Sequence, residues 1–403
     1  MKTILYVGNF SFPLGNAAGK RVYANGKILR ELGYEVIYIG MSQEVNQKIS
    51  LKATECNYDG FKYYNFQYPK RNLSWLNYKS TFDNLIKLIK EENMIACLDL
   101  VIYYGSPSLS FFNTKLIRFC RKNKIKVITD CVDWLTVKTN NQLFNLIKWC
   151  DNTYQKTYAN KKVDGVITIS QYLERYYNGV GCKTVIIPPL SPIKYKNAEV
   201  TFRKHHRKVI TYAGQPFRKG QKINDLSILK DRIDKTIMLL FEAKQKECEF
   251  IFNIYGLTKD EFLYAIPSHR KYLDCLGDSV CFHGYTPNEK VIENIMDSDF
   301  TILIRDVNRD TMAGFPTKVS ESISCGTPVI TTKTSDLSNY IVEGVHGYFI
   351  DNEDINKATL EIIRIFNLTS TEVIRMKEEC IQSGMFYYKS YTNKLKGFLD
   401  EIL

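Results

Sequence analysis

The chain has 403 residues, of which 44% are hydrophobic and 24% are charged. These fractions are typical of globular proteins and exclude a disordered, collagen-like or coiled-coil chain. At roughly 100 to 200 residues per domain, the length predicts two or three domains. Lys and Arg total 55 against 43 Asp and Glu. The charge of +12 favours anionic partners, namely nucleotides, phosphorylated lipids, an anionic membrane surface or nucleic acid.

The cysteines and the apolar segments bear on location. Eleven cysteines, an odd number, are scattered without a C-x-x-C pair or a zinc-like cluster, which favours a reducing, cytoplasmic setting. Residues 1–8 form too short an apolar run for a signal peptide, and no apolar stretch approaches the ~18 to 20 residues of a membrane helix. We expect a cytoplasmic protein whose membrane contact, if any, is peripheral and at the inner face.

Short apolar runs alternate with helical patterns from the start of the chain. Thr3 to Gly8 predicts a strand, and Ala17 to Leu32 predicts a helix that Gly33 ends. Further strands are predicted at 35–40, 100–104, 126–129, 165–169 and 184–187. This alternation predicts a mostly parallel α/β sheet.

Prolines and a basic segment then predict a linker at 191–206, after which the alternation resumes. The second set of strands is predicted at 208–213, 249–255, 279–283, 300–304 and 328–332. We therefore expect Rossmann-like domains at 1–190 and 207–385, with the site in the cleft between them. Residues 386–403 predict an amphipathic helix that packs back on the first domain.

Two loops at strand ends contain glycine and cations. Gly15 and Gly19 flank the start of the first helix, where free amides and the helix dipole favour phosphate. The spacing is neither G-x-G-x-x-G nor Walker A, which disfavours a dehydrogenase or an ATPase. In the second domain, Gly214 ends a strand and the loop presents Arg218 and Lys219, which suit a diphosphate. Ordinary turns are the alternative in both places.

The most informative segment spans residues 312–330. A loop with Gly314 precedes a helix in which Lys318 and Glu321 share one face, and Gly326 ends that helix before a strand. Loop amides and Lys318 would bind phosphate, and Glu321 would accept hydrogen bonds from a ribose diol. Alternatively, Lys318 and Glu321 form only a surface ion pair, worth under ~1 kcal/mol.

Asp130 and Asp133 follow the strand predicted at 126–129. Carboxylates at a strand end could bind acceptor hydroxyls or the donor sugar. A turn with a helix N-cap is the open alternative, because Asp favours that position.

Together these segments resemble the retaining glycosyltransferases of family 4, the glycosyl transferases group 1, which have the GT-B fold. The resemblance rests on the run E-x-x-x-C-G-x-P-V-I from Glu321, the G-x-x-x-x-K-G loop from Gly214 and the glycine-containing first loop, in that order. It covers essentially the whole chain. It implies an α/β protein with two doubly wound, Rossmann-like domains facing a central cleft, the first for the acceptor and the second for a nucleotide sugar.

The resemblance also implies roles for single residues. Gly19 would approach the donor diphosphate, Lys219 would hold it, and Glu321, as the second glutamate of the E-x7-E motif, would contact the ribose. Tyr285 would lie at the base. The residues expected to bind the nucleotide sugar are Gly15, Gly19, Gly214, Arg218, Lys219, Tyr285, Gly314, Phe315, Thr317, Lys318 and Glu321. The backbone amides of Phe315 and Thr317 would bind the phosphate. The expected catalytic set is Asp130, Asp133, Lys219 and Glu321.

Two positions depart from the family pattern. The first glutamate of E-x7-E is Ala313 here, and the arginine after the loop glycine is Gln215. Arg218 is a candidate replacement for the arginine, and Asp306 or Asp310 for the glutamate. The same departures keep open a non-catalytic scaffold with a decayed donor site. A nucleotide-sugar epimerase and a pyridoxal-phosphate-dependent phosphorylase are alternatives on the same fold.

By resemblance, the reaction is a same-face displacement in which the leaving diphosphate helps to deprotonate the acceptor. Catalysis would depend on positioning and on charge stabilisation by Lys219, Arg218, Lys318 and loop amides. The UDP- or GDP-linked sugar would be the co-substrate, and we expect neither a metal nor another cofactor.

The acceptor is less clearly specified. Aromatic and basic residues are interleaved at 61–79 and 146–162, a mixture that suits anionic lipid headgroups, although it also suits sugars, and a plain strand and core helix are equally compatible. We expect a carbohydrate or lipid-linked acceptor, by analogy in bacterial surface polysaccharide synthesis. No nucleic-acid-binding module is recognisable, so no nucleic acid partner is expected.

Overall fold

The computed structural model describes residues 2–42, 55–67, 78–105, 110–134, 142–195 and 207–403. The chain divides into two compact units. The N-terminal unit comprises Met1–Pro192 with Tyr387–Leu403, and the C-terminal unit comprises Ile193–Phe386. Most of the predicted linker, residues 196–206, lies outside the described residues, as does much of the aromatic and basic segment at 61–79.

The N-terminal unit contains an eight-stranded sheet in the order β3-β4-β2-β1-β5-β6-β7-β8. Its strands are β1 (Thr3–Gly8), β2 (Glu35–Ser42), β3 (Cys56–Tyr58), β4 (Phe61–Gln67), β5 (Leu98–Gly105), β6 (Lys126–Cys131), β7 (Gly165–Thr168) and β8 (Thr184–Ile186). Its helices are α1 (Ala17–Glu31), α2 (Tyr78–Glu91), α3 (Ser110–Lys122), α4 (Gln142–Thr157), α5 (Gln171–Gly179) and α14 (Thr392–Asp400). All pairings are parallel except β3 with β4.

The predicted strands of this unit are confirmed, and β4 corresponds to the plain strand left open for its segment. Strands β1 and β5 lie in the middle of the sheet, and nearly all their residues are buried. Burial on both faces explains why they are continuous apolar runs in the sequence.

A buried ion pair lies at the carboxyl end of this sheet. Arg21 of α1 binds Asp130 of β6 with an Nη2–Oδ1 distance of 2.7 Å, and the two side chains are 4% and 0% exposed. Tyr6 of β1 donates to Oδ2 of Asp130 at 2.6 Å, and Nη1 of Arg21 donates to the carbonyl of Ile187 at 2.8 Å. Burial alone would lower the pKa of Arg21, but Asp130 outweighs burial and raises it. The pair therefore joins α1, β6 and the segment after β8.

The C-terminal unit contains a six-stranded, all-parallel sheet in the order β11-β10-β9-β12-β13-β14. Its strands are β9 (Lys208–Ala213), β10 (Phe250–Tyr255), β11 (Val280–Gly284), β12 (Phe300–Leu303), β13 (Val329–Thr331) and β14 (Gly347–Phe349). Its helices are α6 (Ile233–Gln245), α7 (Lys259–Ala265), α8 (Arg270–Leu276), α9 (Asn288–Asp297), α10 (Arg309–Ala313), α11 (Thr317–Ser324), α12 (Ile355–Phe366) and α13 (Ser370–Ser383). The five predicted strands are confirmed, and β14 was not predicted.

The end of the chain packs on the N-terminal unit. A short 3-10 turn precedes α14, whose Leu395, Phe398 and Leu399 are buried. Gly165 of β7 lies directly beneath this helix, because a Cβ there would come within 2.7 Å of the Phe398 ring. Within the described residues, no helix is both long and apolar enough to cross a membrane.

The Arg21–Asp130 pair generates the first prediction. The change Asp130→Ala leaves the Arg21 guanidinium buried without its counter-charge, so we expect the free energy of unfolding to fall by about 3–5 kcal/mol. The exposed pair of Lys126 with Asp164 provides the control, and Lys126→Ala should cost under ~1 kcal/mol. Urea titration followed by circular dichroism measures both. Equal effects of the two changes would contradict the structural role of Asp130.

Candidate functional site

The strand order of the C-terminal unit reverses between β9 and β12. Ligands of open α/β sheets bind at the carboxyl ends of the strands where such a reversal occurs. Gly214 directly follows β9 and donates its amide to the carbonyl of Tyr255 at 2.9 Å, and Gly256 donates to the carbonyl of Gly284 at 2.7 Å. Three neighbouring strands thus end in glycines along one edge of the sheet.

A buried carboxylate lies at this edge. Oδ2 of Asp231, which precedes α6, accepts from Nζ of Lys318 at 2.7 Å and from the hydroxyl of Tyr212 at 3.0 Å. Oδ1 accepts from Nε of Arg305 at 2.8 Å, and Nη2 of Arg305 lies 2.7 Å from the same oxygen. The hydroxyl of Thr332 accepts from the Arg305 amide at 3.1 Å, which fixes the backbone after β12. Both carboxylate oxygens are therefore satisfied by charged or phenolic donors.

Two cations beside one carboxylate determine its protonation. Burial would raise the pKa of Asp231, but Lys318 and Arg305 outweigh burial and hold the pKa well below its ordinary value. Burial, reinforced by the Asp231 charge, raises the pKa of Tyr212 well above its ordinary value. Asp231 is thus a carboxylate and Tyr212 a neutral phenol at neutral pH. The cluster of Asp231, Arg305 and Lys318 carries one net positive charge.

Lys318 is the member of the cluster that solvent reaches, with 28% of its side chain exposed. Its stem passes over Gly214, where an added Cβ would collide with Cε and lie 2.8 Å from Nζ. Gly214 has φ +154°, a backbone conformation that side chains rarely adopt. The backbone therefore favours glycine here, and a side chain would also displace the end of Lys318.

Helix α11 carries Lys318 and Glu321 on one face, as the spacing predicted. Both residues line a small pocket that Tyr212, Ala213 and Leu303 also line. The N-cap residue of α11 is Pro316, whose side chain makes no capping hydrogen bond to the first turn. The ammonium of Lys318 binds Asp231, so the surface ion pair considered as the alternative is not what orients it. Burial, reinforced by the charge of Glu321, raises the pKa of Tyr195 well above its ordinary value.

Three further predicted residues of this unit lie on exposed loops. Nζ of Lys219 is 2.8 Å from Oε1 of Glu261 on α7, and the neighbouring Arg218 side chain is exposed. Tyr285 is exposed directly after β11. The structure thus brings Gly214, Lys318 and Glu321 together and holds Arg218, Lys219 and Tyr285 on the loops that follow β9 and β11.

The loop before α11 is largely core. Phe315 is buried, with its ring centroid 5.4 Å from that of Tyr340 and 5.8 Å from that of Phe386. Its side chain is therefore structural, and only its amide remains for the expected role. Gly314 ends α10, and Thr317 is exposed at the first position of α11.

The two positions that depart from the family pattern differ in burial. Ala313 is completely buried, and Gln215 is exposed. The carboxylate of Asp306 binds Arg232, and it also accepts from Lys235 and Asn352, each at 2.7 Å. These bonds already hold Asp306, whereas Asp310 lies in the first turn of α10.

In the N-terminal unit, the predicted loop glycines have a packing role. The Asn16 side chain caps α1 by accepting from the Gly19 amide at 2.8 Å. A Cβ at Gly19 would collide with the Ser11 carbonyl, and one at Gly15 would lie 2.5 Å from the Ser11 hydroxyl. The Gly19 amide, at the helix start expected to favour phosphate, is therefore already bonded to the Asn16 side chain.

The two predicted aspartates differ in access. Strand β6 continues through Asp130, which is sealed against Arg21 as described, so Asp130 lies within the strand and not, as the sequence predicted, after it. Asp133 lies beyond the strand and is half-buried. Their catalytic roles stay predictions.

Sequence reasoning missed Asp231, Arg305 and Tyr212. Arg305 left a trace, because an arginine directly after an apolar strand is unusual unless it has a partner. Asp231 stands in the polar run Lys-Asp-Arg-Ile-Asp-Lys and left none.

Comparisons with known proteins bear on the family and the fold. Residues 240–383 match the family model described as glycosyl transferases group 1. Among curated proteins, none matches the chain.

Solved structures resemble the whole chain. Sucrose-phosphate synthase from Thermosynechococcus elongatus is 14% identical with a TM-score of 0.71, over 100% of this chain and 99% of that one. HepE from Anabaena, in complex with UDP and glucose, is 14% identical with a TM-score of 0.63, over 99% and 100%. The E. coli trehalose-6-phosphate structure, bound with UDP-2-fluoro glucose, is 9% identical with a TM-score of 0.69, over 100% of both chains. The chain has the two-domain GT-B fold, and part of its C-terminal unit is similar to the glycosyl transferases group 1.

Gly214 generates a prediction about the cluster. The change Gly214→Ala displaces Lys318 and strains the backbone, so we expect the free energy of unfolding to fall by about 2–4 kcal/mol. Gly277 also has a positive φ, of +49°, but an added Cβ there meets nothing within 4 Å. Gly277→Ala is therefore the matched control, with an expected loss of about 1–2 kcal/mol. Urea titration compares them, and equal losses would refute the contact with Lys318.

The low pKa of Asp231 makes the stability of the protein depend on pH. The native state holds Asp231 ionised below the aspartate pKa of about 3.9 that applies when unfolded, so the stabilisation is complete above about pH 5 and is lost as pH falls towards the native pKa. Above about pH 5, we expect the free energy of unfolding of the wild type to exceed that of Asp231→Asn by a constant margin. Below about pH 4 the margin should narrow by about 1.4 kcal/mol per pH unit. Denaturant titrations at several pH values measure it. A margin independent of pH would contradict the ion pairs.

Proposed function

We propose that the protein is a retaining, hexosyl-type glycosyltransferase that moves a sugar from a UDP- or GDP-linked donor to a carbohydrate or lipid-linked acceptor. The observation that carries the proposal is the Lys318 ammonium, held by buried Asp231 at the switch point of the second sheet. The UDP and UDP-sugar complexes of the structural neighbours support a nucleotide-sugar donor.

The donor diphosphate would lie over Gly214. Glycine lets its oxygens approach the backbone, and Lys318 together with the uncapped first turn of α11 offers positive charge and amide donors. Because Arg305 shares the Asp231 carboxylate, Lys318 is not fully neutralised by its partner. An incoming anion would therefore meet an ammonium that Asp231 alone does not neutralise.

The ribose and the base of the donor nucleotide would extend along the carboxyl ends of the strands. Glu321, in the same pocket as Lys318, would accept from the ribose hydroxyls. Tyr285 would stack on the base: it follows β11, which lies two strands from β9, and two strand spacings are about 10 Å. Lys219 and Arg218 would add charge to the diphosphate once Lys219 leaves Glu261.

The chemical step would be a same-face displacement. The bond between the anomeric carbon and the diphosphate oxygen breaks, the acceptor oxygen bonds to that carbon, and the acceptor proton passes to the departing diphosphate. The protein residues position the reactants and stabilise charge on the leaving group. The mechanism needs no metal or further cofactor. We place it in bacterial surface polysaccharide synthesis, in the cytoplasm and at an anionic membrane face.

A second candidate is a non-catalytic scaffold that binds nucleotide without turnover. Fully buried Ala313, where the family has a glutamate, favours it, because no carboxylate from this position reaches a donor sugar. Sugar release from the donor distinguishes the two candidates.

The nucleotide site is tested by thermal shift and calorimetry with UDP, GDP, dTDP and their sugars. We expect one nucleotide to raise the melting temperature, and Glu321→Ala and Lys219→Ala each to weaken its affinity about tenfold or more, as expected for hydrogen bonds to charged groups. Glu293→Ala and Lys290→Ala, which remove an exposed ion pair of α9, are the controls and should leave affinity unchanged.

Hydrolysis of the cognate nucleotide sugar by wild type would support the transferase. Nucleotide binding without sugar release, over a broad acceptor panel, would support the scaffold. A folded protein that responds to no nucleotide would overturn the proposed donor site.

A further inference from the structure

Helix α4 of the N-terminal unit has its apolar side outward. Leu143, Leu146, Ile147, Trp149 and Cys150 are exposed, and we call this surface the α4 face. Trp149 is 63% exposed and Leu146 56%. At 100° per residue these positions share one half of the helix. Among the described side chains of α4, that half carries no charged residue.

The inward side of α4 is polar and bonded to the protein. Asn152, Gln155 and Lys156 are buried. Nε2 of Gln155 donates to Oδ1 of Asn160 at 2.7 Å, and the Lys156 ammonium lies 4.4 Å from the Trp134 ring centroid. These contacts fix which side of the helix faces the protein. The apolar half therefore cannot turn inward without burying it against polar groups and exposing a partnered lysine.

The apolar surface continues past the helix. Phe111 of α3 is exposed and stacks on Tyr154 with centroids 5.9 Å apart, and Tyr154 lies 5.0 Å from Tyr158, which is also exposed. Contiguous apolar surface of this kind marks an interaction site rather than scattered exposure.

Cations border this surface at the end of α4. Lys161 and Lys162 are exposed on the next turn, and the Lys162 ammonium lies 5.3 Å from the Tyr158 ring centroid. Arg121 of α3 is exposed and donates to the Lys162 carbonyl at 2.5 Å. The acids nearby are engaged, because Asp151 binds Ser110 and Asp164 binds Lys126. The border is therefore positively charged.

We infer that the α4 face binds the surface of an anionic lipid bilayer. Leucine, isoleucine and tryptophan would enter the headgroup and upper acyl region, and the bordering cations would bind lipid phosphates. A second copy of this chain fits less well, because a two-fold contact through the α4 face would bring two sets of the same cations to one interface. The inference deepens the membrane contact in the proposed function but does not depend on the donor site.

The test is co-sedimentation of the full chain with vesicles of phosphatidylcholine alone or of phosphatidylcholine and phosphatidylglycerol in equal amounts. We expect binding to the anionic vesicles, which salt weakens. Leu146→Glu should weaken binding to the anionic vesicles at least tenfold, because it removes apolar contact and adds a negative charge that the anionic lipids repel. Leu360→Glu is the matched control, because Leu360 on α12 is 60% exposed, and it should bind as wild type does. Lys161→Glu combined with Lys162→Glu should abolish the preference for anionic lipid.

Circular dichroism and the thermal response to nucleotide, measured without vesicles, show whether Leu146→Glu is folded and test the donor site separately. Equal vesicle binding by wild type and folded Leu146→Glu, or no binding by wild type, would overturn the inference. A wild-type dimer that Leu146→Glu converts to monomer would assign the face to a second copy and overturn it as well. Vesicle binding by a chain that responds to no nucleotide would uphold this inference and refute the proposed donor site.

Discussion

One carboxylate holds together the carboxyl ends of the strands in the C-terminal unit. Asp231 binds a cation from the end of β12, a cation from the start of α11 and a phenol from β9, so three elements that are distant in sequence meet at its two oxygens. A buried aspartate without these partners would carry a large desolvation cost, which the two cations offset. The same bonds aim Lys318 across Gly214. The position of the positive charge at this edge therefore follows from the requirement to pair one buried acid.

The N-terminal unit contains a similar arrangement with a different outcome. A tyrosine from its first strand, Tyr6, also donates to a buried aspartate, Asp130, and an arginine pairs with that aspartate. There the pair is closed to solvent, and its remaining donor binds a backbone carbonyl. In the C-terminal unit, Lys318 is a second cation on the same acid and it reaches solvent. Access to solvent, rather than the presence of a buried ion pair, is what differs between the two units.

The sequence contained most of the fold and part of the site. Strands such as β1 and β9 were predictable because burial on both faces demands continuous apolar runs, whereas the three-residue β14 is too short to show a pattern. Lys318 and Glu321 were predictable from their helical spacing and flanking glycines. Asp231 was not, because its burial depends on Arg305, which lies 74 residues away. The sequence indicated the aromatic and basic mixture at 146–162 but not that the apolar half of α4 faces outward, because periodicity shows that a helix is amphipathic but not which side faces the protein.

The proposed donor site lies at the carboxyl ends of the strands of the second sheet, over Gly214 and beside Lys318. Hydrogen–deuterium exchange of the wild-type protein, with and without its cognate nucleotide, is the decisive experiment, because bound phosphates protect the amides they contact. We expect protection in the segments around Gly214 and at the start of α11. Protection confined to the N-terminal unit, with none in these segments, would contradict the proposed donor site.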